Sequence, residues 1–268
     1  MKWDDSSLGM TAALRKCMRG LAILAFVVTA IAAGCASTTE VEETTEESGD
    51  AITRDDAVNV PGIASEFQKN RVMEDSFYAN ASWATASEIQ AFLENTVWNK
   101  ASWLATEKIV LADEPNSSPI LVSEAIVRTA QAHHINPLLL LARMQVEKSL
   151  VSASKRPSES ARSFGLGCHK ATAAHPNGLD PSVAALNIQL ECGATTLENQ
   201  LAKAKSGDNN YDIGRDAFTG DGVTIHPTNA ATSALYAYTP IEGSRNHNGN
   251  WLVWNITHRF AAAIQSAR

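Results

Sequence analysis

The chain has 268 residues, 44% of them hydrophobic and 19% charged, with a formal net charge of −7. Acidity of that size argues against nucleic acid as a partner and against electrostatic attraction to an anionic surface. The length accommodates one globular domain with accessory segments.

In chain order, the first segment is a processing signal. Lys2, Arg15, Lys16 and Arg19 make a positive leader, and "LAILAFVVTAIAAGC" follows as an apolar run too short and Ala-rich for a membrane span. Ala32, Ala33 and Gly34 stand directly before Cys35, an arrangement that resembles the lipobox of bacterial lipoproteins. That resemblance implies a signal peptide over 1–34, a lipid on Cys35, and an exported protein anchored to a bacterial membrane and facing the cell wall. Ala36 is not the Asp that marks inner-membrane retention, which favours the outer membrane. The alternative is an ordinary secreted protein cut at a similar site. Loss of the first 34 residues removes four basic and two acidic groups and leaves a charge of about −9.

Residues 35–80 read as a tether. "TTEVEETTEESGD" is acidic and lacks aromatics, so it cannot bury enough apolar surface to order itself. A single mainly α domain is expected over 81–268. Ser87 to Leu93 suits a short helix with Ile89, Phe92 and Leu93 on one side. A second helix is expected from a Ser118 cap and Pro119, with Val122, Ile126 and Ala130 at four-residue steps. "INPLLLLARMQVEKSLV", residues 135–151, follows as one helix capped by Asn136, with Pro137 first. A fourth is expected from Asp180 and Pro181, carrying the stripe Val183, Leu186, Leu190, Leu197 and Leu201 and stopping at Gly207. "HPTNAATSALYAY" and "NWLVWNITHRFAAAIQ" supply two more, and no run of four residues alternates as a strand would. Two long polar connectors, 155–178 and 206–229, are expected to wall a cleft beside the helices.

Cys168 and Cys192 remain as an even pair in an exported chain, which predicts a disulfide rather than a Cys168–His169 nucleophile pair. No cofactor or metal is expected. The chain lacks a Gly-rich phosphate loop and a His-Glu-x-x-His pattern, and His169, His175 and His226 are scattered.

The residue out of pattern is Glu147. Its neighbours on the helix face are Leu140, Arg143, Met144, Leu150 and Val151, so the carboxylate falls where burial is expected, with Arg143 at the edge sending its head to solvent. A carboxyl removed from water tends to keep its proton, as a general acid requires. The same position also suits a rim residue paired with Arg143 or Lys148.

The stretch around Glu147 resembles the catalytic helix of lysozyme-like bacterial transglycosylases, with Gln145, Glu147 and Ser149 at the family's Gln, Glu and Ser and Lys148 between the last two. "SFGLGC", 163–168, is similar to the family's Gly-Leu-Met-Gln loop, keeping Gly165 and Leu166 but with Cys168 where Gln is usual. "ATSALYAYTP", 231–240, is similar to its Ala-Tyr-Asn-Ala-Gly segment, with Tyr236 on the family tyrosine and Tyr238 in addition. Together the motifs resemble a divergent branch of that family. The resemblance implies a lysozyme-like helical domain that cuts peptidoglycan glycan strands as a monomer. Glu147 would be its acid and base, Ser149, Gly165, Leu166, Gly167, Tyr236 and Tyr238 would contact substrate, and Phe164, Tyr238 and Trp251 are candidate stacking aromatics. A hydrolase would need a second carboxylate, and Asp180, Glu191, Asp212, Asp221 and Glu242 are available outside any matching motif. The alternatives are a non-catalytic peptidoglycan-binding lipoprotein, with Lys148 and Cys168 compromising catalysis, and a hydrolytic muramidase or glucosaminidase.

Overall fold

The computed structural model describes residues 58–178 and 180–268. The leader, Cys35 and the acidic stretch to residue 57 lie outside the described residues. Among those described, the chain forms eight α-helices and four strands of two residues each, so the fold is mainly α.

Residues 58–80, expected to belong to the tether, pack into the core instead. Val60, Ile63, Val72 and Met73 are buried, and α1 (Asp75–Tyr78) adds buried Phe77 and Tyr78. The mixed polar sequence hides this because the buried residues are few and irregularly spaced, with no helical or strand period. Helix α2 (Ala86–Glu94) opens on a capping box in which Thr85 and Glu88 satisfy each other's backbone N–H groups, an arrangement worth about 1 kcal/mol. Strands β1 (Lys108–Ile109) and β2 (Ile120–Leu121) pair antiparallel. The expected start of the next helix at Pro119 is therefore displaced, because Ile120 and Leu121 take ladder partners and Val122 N donates to Glu107 O. Helix α3 runs Val122–Ala132 without a side-chain cap.

Helix α4 (Pro137–Lys148) begins as read, with Asn136 accepting from Leu138 N and Pro137 in the first turn. It ends three residues early. Ser149 turns left-handed at φ 50°, Ser149 N and Leu150 N return to Gln145 O and Met144 O, and the buried Gln145 amide takes Ser152 N. Leu150 and Val151 are still buried, so apolar periodicity continues where the helix does not. After the short α5 (Glu159–Arg162), Asp180 caps a 3-10 turn over Pro181–Val183 rather than the helix itself. Helix α6 (Leu186–Ser206) begins at Leu186 and stops at Gly207, φ 73°. Strands β3 (Ala217–Phe218) and β4 (Thr224–Ile225) form a hairpin, followed by α7 (Ala230–Tyr238) and α8 (Gly249–Ser266). Helices α4 and α8 pack together, α6 lies along α7, and α3 joins α2, α4 and α6. One hydrophobic core is shared by all of them.

Candidate active site

Glu147 stands in the last turn of α4, and its side chain is 30% exposed. The side chain is thus only partly covered rather than sealed in the core. Lys148 is exposed, as expected of the next residue round a helix. The cation that faces Glu147 is Arg143, one turn earlier, with Nη1 at 3.7 Å from Oε1.

Arg143 corrects the sequence reading, since its head does not reach solvent and its side chain is 2% exposed. Its guanidinium lies 3.9 Å from the centroid of the Tyr238 ring, and Nη1 donates to Thr239 Oγ1 at 2.8 Å. The end of α7 supplies both partners, and a tyrosine face offers a buried guanidinium an electrostatic seat that an aliphatic wall does not.

The 163–168 loop covers the other side of the carboxylate. Gly167 has φ +75°, and a Cβ there would lie 2.8 Å from Glu147 Cδ and 3.0 Å from both carboxylate oxygens. Only glycine fits this approach. The loop is held from several sides. Gln189, buried on α6, accepts from Leu166 N and Cys168 N and donates to Cys168 O and Val183 O. Cys168 is disulfide-bonded to Cys192, one turn further along α6. Leu166 is fully buried and sits where Gly193 leaves room for its side chain. Gly165 likewise meets Leu150, whose Cδ1 would be 2.8 Å from a Cβ at that position.

Tyr238 closes the arrangement, its hydroxyl donating to Leu166 O at 2.8 Å. Burial pushes that hydroxyl above the usual tyrosine value; Arg143 opposes the rise and Glu147 adds to it. Tyr236 points elsewhere. It is buried, it donates to Lys69 O at 3.0 Å, and its titration is raised first by burial and then by Glu242 and Asp221. Two residues apart on a helix, the tyrosines diverge by about 200°, and Tyr238 is the one that meets Arg143 and the loop.

Backbone groups of the loop, expected to line a cleft, are largely spent internally. Leu166 gives its N–H to Gln189 and its C=O to Tyr238, while Gly167 N–H returns to Phe164 O. Ser149 N–H and C=O are similarly used by Gln145 and Ser152. Phe164 stacks on His169, and Trp251 on His247. A cavity of about 640 Å³ opens against Arg162, Phe164 and Leu186, and Glu147 is not among its lining residues.

No protein-family model, curated protein or solved structure matches this chain. What the site can do rests on its own chemistry. The other carboxylates considered above are each engaged away from Glu147. Asp180 accepts from Ser182 N, Glu191 pairs with His133, and Asp212 with Arg215. Asp221 accepts from Glu242 N and Gly243 N, and Glu242 from Ser244.

Gln189 and the buried role of Arg143 were not found from sequence. A Gln inside the apolar stripe of α6 was the available signal for the first. The position of Arg143, four residues before Glu147, placed it on the right face but not at the right depth.

Proposed function

We propose that this chain is a lysozyme-like lytic transglycosylase that cuts the β-1,4 bond between N-acetylmuramic acid and N-acetylglucosamine in peptidoglycan, with Glu147 as its only acid and base. The observation that carries the reading is the part-exposed carboxylate held between Arg143 and the Cα of Gly167. The loop that covers this carboxylate lies in a segment whose sequence resembles that family, as does the end of α7, where Tyr238 rather than the family-aligned Tyr236 meets Arg143 and the loop.

In the first step Glu147 gives its proton to the scissile oxygen, which departs with the electron pair of the breaking bond. The sugar left behind is oxocarbenium-like. Glu147, now a carboxylate, takes the proton of the muramic acid 6-hydroxyl as that oxygen closes on the anomeric carbon. One group serves both steps, and no second carboxylate is required. Lipidation at Cys35 would keep this domain beside the wall despite its acidity, a proximity that charge could not supply.

Mass spectrometry of purified peptidoglycan incubated with the protein tests the reading. Anhydro-ended fragments that disappear with Glu147→Gln support it. Reducing ends instead would mean a hydrolase, and binding to the wall with no fragment released would mean a non-catalytic binder.

A further inference from the structure

We propose that Arg143 is a positioning residue for Glu147, a built-in counter-charge that holds the carboxylate in place and stabilises it during the interval in which it has lost its proton. The inference rests on the transglycosylase reading above.

Two unfavourable placements coincide at this point of the fold. A carboxylate in the last turn of α4 faces the negative end of the helix dipole. A guanidinium is buried four residues earlier, and its Nη2 is buried without a hydrogen-bond partner among the described residues. Burying a guanidinium with one nitrogen left without a hydrogen bond is expensive, and a Met or Leu would fill the same space without that cost. Packing therefore does not account for Arg143.

Its surroundings define a direction. The aromatic face of Tyr238 and the hydroxyl of Thr239 fix the guanidinium from α7 and its end. Tyr78 of α1 also feels its charge, but that hydroxyl is committed to Leu197 O at 2.9 Å. The acid-derived group that faces Arg143 is Glu147, at 3.7 Å. That distance lies just beyond a hydrogen bond, so the protonated acid is free to point at substrate. Once the proton has gone to the leaving oxygen, the new carboxylate charge arises beside a cation already oriented to receive it. Nothing has to reorganise, which is the condition under which such stabilisation is large. When the 6-hydroxyl proton returns to Glu147, the charge is discharged and the acid is restored.

Arg143→Met tests this in the full protein on peptidoglycan strands. Loss of a charge-stabilising partner is expected to lower kcat about 100-fold with KM within about twofold. Arg143→Lys keeps a charge but cannot reproduce the planar stacking, and should recover about tenfold of that loss. Full kcat in Arg143→Met, with Glu147→Gln dead, would overturn the counter-charge role and leave the transglycosylase reading standing. So would equal losses in the Met and Lys variants, which would mark Arg143 as structural only. A wild-type protein that releases no fragments, indistinguishable from Glu147→Gln, would overturn both readings.

Discussion

The two long connectors, 155–178 and 206–229, look alike in sequence and behave differently in the fold. Both are polar, and each carries positive-φ glycines, Gly167 in the first and Gly222 in the second among them. The first lays Gly167 on the carboxylate of Glu147 and cannot hold that position alone, so α6 braces it with Gln189 and a disulfide and α7 with Tyr238. The second, expected to wall the same cleft, folds on itself as the β3–β4 hairpin. Its external ties run to Pro240, to Glu242 and Gly243 through Asp221, and to Asn70. Phe218 on its edge is 75% exposed. The loop that lays its backbone on Glu147 depends wholly on braces from outside, whereas the other adds a ladder of its own to its external ties.

The contrast breaks most sharply at the two glycines. Gly167→Ala puts a Cβ into the Glu147 carboxylate, and under the proposed transglycosylase function should reduce fragment release from peptidoglycan by about 100-fold, the usual consequence of an ångström of misplacement. Gly222→Ala meets nothing within 4 Å. It should cost about 1 kcal/mol for its left-handed backbone and leave release unchanged. Equal effects at the two positions would mean that the first loop has no special relation to Glu147.

Next in size is the brace itself. Replacing Cys168 and Cys192 together by Ser opens a loop with a sequence separation of 24, and should lower unfolding stability by about 3 kcal/mol. Chemical denaturation measures this. Release should fall further than the unfolded fraction explains, because Gly167 adjoins Cys168. A loss of activity that only tracks unfolding would show that Gln189 and Tyr238 suffice.

The smallest effect belongs to the hairpin. Burial alone would raise the Asp221 carboxyl, but the Thr219 hydroxyl and the backbone N–H groups of Glu242 and Gly243 outweigh it and hold the group below the usual carboxylate range. A depressed folded value means that the stabilisation is complete above about pH 4 and is lost as pH falls through the folded value. Asp221→Ala should therefore cost less than about 1 kcal/mol at neutral pH, since solvent screens so open a group, and the cost should vanish in acid melts. A cost that persists unchanged in acid would remove the carboxylate from the explanation.

Much of the helical plan was legible in the chain. Asn136-Pro137 and Gly207 mark helix ends because capping is decided within a few residues. The misreadings arise where a partner distant in sequence competes with local preference. Pro119 could open a helix, but the strand at Lys108–Ile109 takes Ile120 and Leu121. Leu150 and Val151 continue the apolar period, but Ser149 and the Gln145 side chain end α4 first. Residues 58–80 look like a linker, but Val60, Ile63, Val72 and Met73 find a core to enter.

At the candidate site the division is similar. Sequence alone determined that a carboxylate would interrupt the apolar face of α4, that a Gly-Leu-Gly loop and a tyrosine pair would follow, and that two cysteines were left to pair. Tertiary structure decided which of those residues meet. It set Tyr238 rather than Tyr236 beside the loop, turned Arg143 inward, left Glu147 part-exposed and spent the Leu166 and Cys168 N–H groups on Gln189. Periodicity reports which face of a helix a side chain occupies, but depth and charge environment depend on what other segments bring against that face, and those contacts span from 21 to 167 residues of chain.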